Sequence, residues 1–274
     1  MKNTEIQKDK RQEQRKKSLF LTKKISKIFS YKLIFKAILN YSLTIKSAHD
    51  NLSLHQNYKN QYFKDDLIVF IETEKITHFI TSWICIKSKY VHSSDYFIAN
   101  FNLLEHCKEI NRLPILRTIE ELLSNNFIHK NTQYYKKLNE SIKNKKPITK
   151  QQALLDTEEK VDNYFNRIHA LYQSITRHGL ISNKIIARNG KQYIDREIGI
   201  AINNDGSLIK LQGGQHRFAI AKIKKIERIP VEIRLIHKDI IKNVSANYNL
   251  SSIEAINLIK NTLNEKSSID SLLI

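Results

Sequence analysis

The stretch LQGGQHRFAIAKIKKIERIPVEIRLIH, residues 211–237, decides how the fold is read. Gly213 and Gly214 stand between an apolar run and a segment with helical spacing, so they mark a passage from strand to helix. Glycine lets the backbone turn with positive φ and removes the Cβ that would keep a ligand off the main chain. Ala219, Ile220, Ile223 and Ile226 form one apolar helix face. After Arg228 and Pro230, Val231, Ile233 and Leu235 alternate with Glu232, Arg234 and Ile236, as in a strand. Gln215, His216 and Arg217 fall in the first helical turn. The first N–H groups of a helix lack intrahelical acceptors and lie at the positive end of its dipole, which favours an anion. Arg217 can grip phosphate oxygens bidentately. His216 can donate a hydrogen bond or titrate near neutral pH. These residues offer a phosphate cradle. They also fit a Gly-containing turn with a structural histidine and a surface arginine.

Outward from this stretch, Ile198, Ile200 and Ile202 alternate with Gly199, Ala201 and Asn203, a strand pattern. Asn204-Asp205-Gly206 supplies a tight turn, which Asp205 stabilises, and 208–211 reads as the returning strand. Residues 198–236 thus run strand, turn, strand, Gly-Gly, helix, strand. His237, after the last strand, either reaches the ligand face or simply ends the strand. Upstream, Tyr164, Phe165, Ile168, Leu171, Tyr172 and Ile175 share one helix face. That helix opens near Thr149, with acids at Asp156, Glu158, Glu159 and Asp162, and closes at Arg177-His178-Gly179, basic and then Gly.

This part of the chain, about 165–237, resembles the ParB/sulfiredoxin superfamily. The matching residues are Gly213-Gly214-Gln215-His216-Arg217, the helix from Phe218 to Ile226, and Ile229-Pro230-Val231; Ser174-Ile175 with Gly179 matches the upstream helix end. Asp205-Gly206 and Ala219-Ile220-Ala221-Lys222 are similar to a ParB-like subgroup with a "DG…HR-AIAK…IPV" pattern. The resemblance implies that Gly213, Gly214, Gln215, His216 and Arg217 bind nucleotide phosphates, with ATP or CTP and Mg²⁺ as the ligands. Any catalysis it implies is phosphoryl transfer or nucleotide hydrolysis. Gln215 occupies the position of the sulfiredoxin cysteine, so the thiol nucleophile is missing and reductase activity is excluded. The Gly-Glu-Arg-Arg box of ParB is absent, and nothing after residue 237 reads as a helix-turn-helix. In serine-kinase-like members a glutamate near the domain start acts as base; Glu158 and Glu159 lie there, and as first-turn helix residues they read more simply as solvated. The sequence assigns no catalytic residue.

The remainder carries less chemistry. Residues 67–86 are rich in β-branched and aromatic side chains, a strand-like or mixed stretch. Residues 101–123 read as helix interrupted by Pro114, and 139–152, polar and lysine-rich with Pro147, as a linker. Two short helical patterns lie around 238–244 and 252–263. Residues 1–17 read as a disordered basic tail. In 18–47, Leu21, Ile25, Ile28, Lys32, Phe35 and Leu39 make one face, apolar but for that lysine, opposite a lysine-rich face, a basic amphipathic helix that packs on its own protein or lies on an anionic membrane. Cys85 and Cys107, widely spaced, make neither a disulfide framework nor a zinc site, and no metal-ligand set is visible.

The formal charge of +19 invites an anionic partner, so a ParB-type DNA-binding role stands beside the nucleotide. Residues 1–50 hold 13 basic and 4 acidic groups, a net of +9, so nearly half of the excess lies outside the recognisable stretch. Of the basic residues 35 are Lys and 11 are Arg, and Ile, Lys and Asn abound as AT-rich codons would produce. The charge that matters for the candidate site is local. The expected architecture is α+β: a ParB/sulfiredoxin-like small mixed sheet with flanking helices over 151–240, a mostly helical extension over 18–150, and a helical tail over 241–274. With no secretion signal and no long uncharged run, the chain is expected in the cytoplasm.

Overall fold

The computed structural model describes residues 63, 67–80, 83–86, 89–92, 97–150, 153–183, 197–265 and 269–273. All of them belong to one compact unit, Leu52–Ile274. The basic tail 1–17 and the amphipathic helix expected over 18–47 lie outside the described residues.

The fold is α+β. Its centre is a mixed seven-stranded sheet. The longest strand is β11 (Arg228–His237); one edge of it pairs in parallel with β9 (Ile198–Ile202), Val231 opposite Ile198. Its other edge is shared by two short strands, β1 (Ile68–Glu72), antiparallel, and β5 (Ile98–Ala99), parallel. Beyond β9 the order continues through β10 (Leu208–Lys210), β2 (Ile76–Phe79) and β6 (Lys108–Glu109). Two hairpins stand apart: β3 (Trp83–Ile86) with β4 (Lys89–His92), and β7 (Ile148–Lys150) with β8 (Ala153–Leu155). All five residues of β9 are buried, as are all three of β10, so these strands are covered on both faces.

Six helices accompany the strands among the described residues. Helix α1 (Pro114–Ser124) begins at Pro114 rather than being interrupted by it, because proline at the first helical position gives up an N–H that has no partner there. Residues 139–152, expected as a linker, instead hold the end of α2 (Gln133–Lys143) and strand β7. Helix α3 (Glu158–His178) opens at Thr157, whose side chain accepts from the Lys160 N–H, and not near Thr149, which lies in β7. It ends at Gly179 as expected. Helix α4 (Gln215–Ile223) follows the glycine pair and packs against α1 and α3. Helices α5 (Lys238–Tyr248) and α6 (Ser252–Asn264) pack on each other, and α6 on β1. Ser251 and Glu254 close a reciprocal capping box at the start of α6.

The three strands from 198–237 lie side by side in the sheet and are flanked on both edges by strands from 68–109, so the segments expected as 18–150 and 151–240 are built on one sheet and share its core. Leu103, Ala99 and Ile80 from the first pack with Ala201, Ile209, Leu211 and Leu235 from the second. The boundary expected at residue 150 therefore does not separate two folding units.

Candidate functional site

The turn from β10 into α4 is where sequence and structure meet most closely. Gly213 has φ 99° and Gly214 φ 58°, both in the region that favours glycine. Gly214 is the N-cap of α4, with no side chain capping the helix. A Cβ on Gly214 would stand 2.8 Å from Ile198 Cγ1 and 2.9 Å from Ile198 Cα. One face of the turn is therefore pressed onto the first residue of β9. Gln212 and Gln215 are exposed on the chain around it. Among the described residues, none offers an acceptor to the backbone N–H of Gln212, Gly213, Gly214 or Gln215.

The carbonyls of the same turn are held by cations. The Lys210 ammonium, with its residue 1% exposed, donates to Leu211 O and, at 2.5 Å, to Gly213 O. It also lies 6.0 Å from the Phe218 ring centroid. Arg234 Nη1 donates to Gln212 O at 2.7 Å, and Nη2 to Glu197 O at 2.8 Å. Its Nε donates to Glu232 Oε2 at 2.6 Å. Gly199 leaves room for this arginine: a Cβ there would lie 2.8 Å from Arg234 Nη1.

Arg217 is not on the surface. It and Glu197 are each 4% exposed, and Nη1 donates to Glu197 Oε1 at 2.7 Å. Nη2 donates to Ile181 O at 2.6 Å. Glu197 Oε2 accepts from the Ser182 hydroxyl at 2.9 Å and from the Asn183 N–H at 2.8 Å. A buried carboxylate with that many donors is compensated, and the cluster ties the residues after α3 to the start of β9 and to α4. The guanidinium that the resemblance assigns to phosphate is committed to a protein carboxylate.

His216 is also buried. Its Nε2 shares a hydrogen bond of 2.9 Å with Tyr164 Oη, from α3. Burial pushes its pKa down to about 4, with the charges of Lys150 and Arg167 adding to the effect. Burial raises the Tyr164 pKa, so phenol and imidazole meet as neutral groups near pH 7. Of the five residues assigned to the site, Gly213, Gly214 and Gln215 thus form the turn, with Gln215 exposed, Gly213 half-buried and Gly214 buried, while the side chains of His216 and Arg217 anchor α4 from behind.

The other candidates serve the scaffold. Glu158 accepts from Tyr135 Oη at 2.9 Å and from Lys130 Nζ at 3.5 Å, which links α3 to α2 and the turn before it. Asp205 accepts from the Ser207 N–H and hydroxyl and from Asn203 Nδ2, holding the β9–β10 turn. His237 Nδ1 accepts from the Asp239 N–H and caps α5. The Cys107 thiol donates to Leu103 O, and burial pushes its pKa up to about 12. Among the described residues, no group of three or more His, Cys, Asp or Glu side chains is placed to hold a metal ion, and no helix is long and apolar enough to cross a membrane.

The sequence patterns do not assign Glu197, Lys210, Arg234 or Tyr164 to the site, although Tyr164 and Arg234 fall in the helix face and the strand they predict. Lys210 had a local signal: a lone charge inside Leu208-Ile209-Lys210-Leu211 must be buried with partners or break the strand. Glu197 had none, since an acid just before a strand is usually solvated. Compared with known proteins, the chain matches no family model, no curated protein and no solved structure.

Proposed function

We propose that the protein binds the phosphates of a nucleotide at the turn 212–215, ahead of α4. The observation that carries this reading is the run of backbone N–H groups from Gln212 to Gln215 that meets no acceptor among the described residues. They sit at the positive end of the α4 dipole, where a phosphate is stabilised. The resemblance of 213–217 to a nucleotide-binding superfamily supports the same site. In this reading the cradle is made of main chain, with Gln215 beside it, while His216 and Arg217 fix the start of the helix through Tyr164 and Glu197. ATP or CTP with Mg²⁺ is the ligand class, the ion offsetting phosphate charge, and phosphoryl transfer or hydrolysis is the chemistry that class supports.

A melting series on the full chain with ATP, ADP and CTP, with and without Mg²⁺, tests this. A nucleotide at a hundred times its Kd stabilises the native state by about 2.7 kcal/mol and raises Tm accordingly. Inorganic triphosphate is expected to compete, because the contacts are to phosphate. Superimposable melting curves in every nucleotide would overturn the proposal.

A further inference from the structure

Two buried or half-buried cations stand behind the turn, and neither belongs to the motif that suggested a phosphate site. Lys210 holds Leu211 O and Gly213 O; Arg234 holds Gln212 O. Three successive carbonyls are therefore fixed. In a trans peptide the N–H points opposite to the C=O of the same plane. The N–H groups of Gln212 and Gly214 accordingly point away from Lys210, and that of Gly213 points away from Arg234. These are three of the four amides that find no acceptor among the described residues. The glycine dihedrals allow several orientations of these peptide planes; the cations select one.

We infer that Lys210 and Arg234 are positioning residues of the turn, holding its carbonyls back so that its amides face a phosphate. This rests on the reading of the turn as a phosphate site. The peptide planes do not reorient when the anion arrives, so little is lost in ordering the loop. Burying a lysine costs stability, and the two carbonyls and the Phe218 ring offset part of that cost. An apolar side chain at 210, between Ile209 and Leu211, would suit the strand equally well, so packing alone does not call for an ammonium there.

The test uses inorganic triphosphate as probe and the full chain labelled with ¹⁵N. In the native protein, triphosphate is expected to shift the amide resonances of residues 212–215. Lys210→Met, Lys210→Gln and Arg234→Met are compared with it, with circular dichroism to establish which of them fold. Each that folds is expected to bind triphosphate about tenfold more weakly or worse, because peptide planes no longer held in place must be ordered when the anion binds. Lys210→Gln, which keeps one donor, is the mildest of the three. A structural role alone would lower Tm and leave the affinity of the folded protein unchanged. Native affinity in any variant that folds overturns the inference and leaves the phosphate site standing. Absence of shifts at 212–215 in the native protein overturns both.

Discussion

Arg217 and Glu197 lie almost wholly out of solvent, so neither charge can be hydrated when the other is removed. Breaking such a pair from one side costs about 3–5 kcal/mol, because it strands the remaining charge. Arg217→Met is expected to lose that much in urea unfolding. Arg217→Lys is expected to recover only part, since an ammonium cannot reproduce the fork that reaches both Glu197 Oε1 and Ile181 O. Unchanged stability in Arg217→Met would show that the pair is not made. The residue that the motif marks as a ligand contact is thus also a fold determinant, and loss of binding in its variants cannot be read without a stability measurement. His216 carries a second prediction. Its pKa is held near 4 in the fold, below the usual 6.5, so between those values the unfolded chain binds the proton and the native state does not. Stability is complete above about pH 7 and falls as pH drops through that window, by on the order of 3 kcal/mol. The buried His237, whose pKa is also lowered, adds in the same direction. His216→Gln, which keeps a polar partner for Tyr164, is expected to flatten the slope between pH 7 and 4 in denaturant titrations. An unaltered slope would mean that the imidazole is not held neutral.

At the scale of elements, the glycine pair has one member whose replacement can be priced from geometry. Alanine at 214 meets a left-handed backbone, about 1–2 kcal/mol, and the main chain of Ile198, an overpacking of about 1–3 kcal/mol. Gly214→Ala is therefore expected to lower the unfolding free energy by about 2–5 kcal/mol, while Gln212→Ala, exposed beside it, changes it by less than about 0.5 kcal/mol. Equal stabilities for the two variants would contradict the packing of the turn on β9. The turn and the elements around it were legible because their signals are local: a breaker pair, an apolar helix face, an alternating strand. The end of α3 was legible for the same reason, a basic last turn followed by glycine. Its beginning was not. Ile148–Lys150 and Ala153–Leu155 are three residues each and take strand form by pairing with one another, a preference that no single window expresses. Pro114 is a visible signal with two meanings, because proline starts a helix as readily as it breaks one, and here it starts α1. At the site, the main-chain turn could be located in the sequence, but the partners of its side chains could not. Glu197 lies 20 residues from Arg217, and Tyr164 lies 52 from His216.

Across the whole molecule, the pairing of distant strands is what the sequence conceals. β1 and β2 fall within the strand-like stretch 67–86, but nothing in it names β11 or β10 as a neighbour, and β6 lies in a stretch that reads as helix. β11 shows how much depends on that pairing. Its edge away from β9 is covered by β1 and β5, and Arg228 at its start donates to Phe70 O in β1 and, at 2.9 Å, to Asn264 O at the end of α6. The Phe70 N–H in turn donates to Asn264 Oδ1 at 2.9 Å. β10 has the same dependence, since β2 pairs along its edge away from β9. A chain of residues 151–274 would keep the resemblance to the superfamily and lose β1, β2, β5 and β6. It would expose both edges of a three-stranded sheet together with the apolar faces of Ala201, Ile209, Leu211 and Leu235. Open edges and uncovered apolar surface favour aggregation over a native state. That fragment is expected to show no cooperative melting transition and to associate in size-exclusion chromatography. A chain of residues 52–274, which keeps every strand of the sheet, is expected to melt in a single transition. A cooperative, monomeric 151–274 would show that the superfamily-like segment folds alone and that the shared sheet is dispensable.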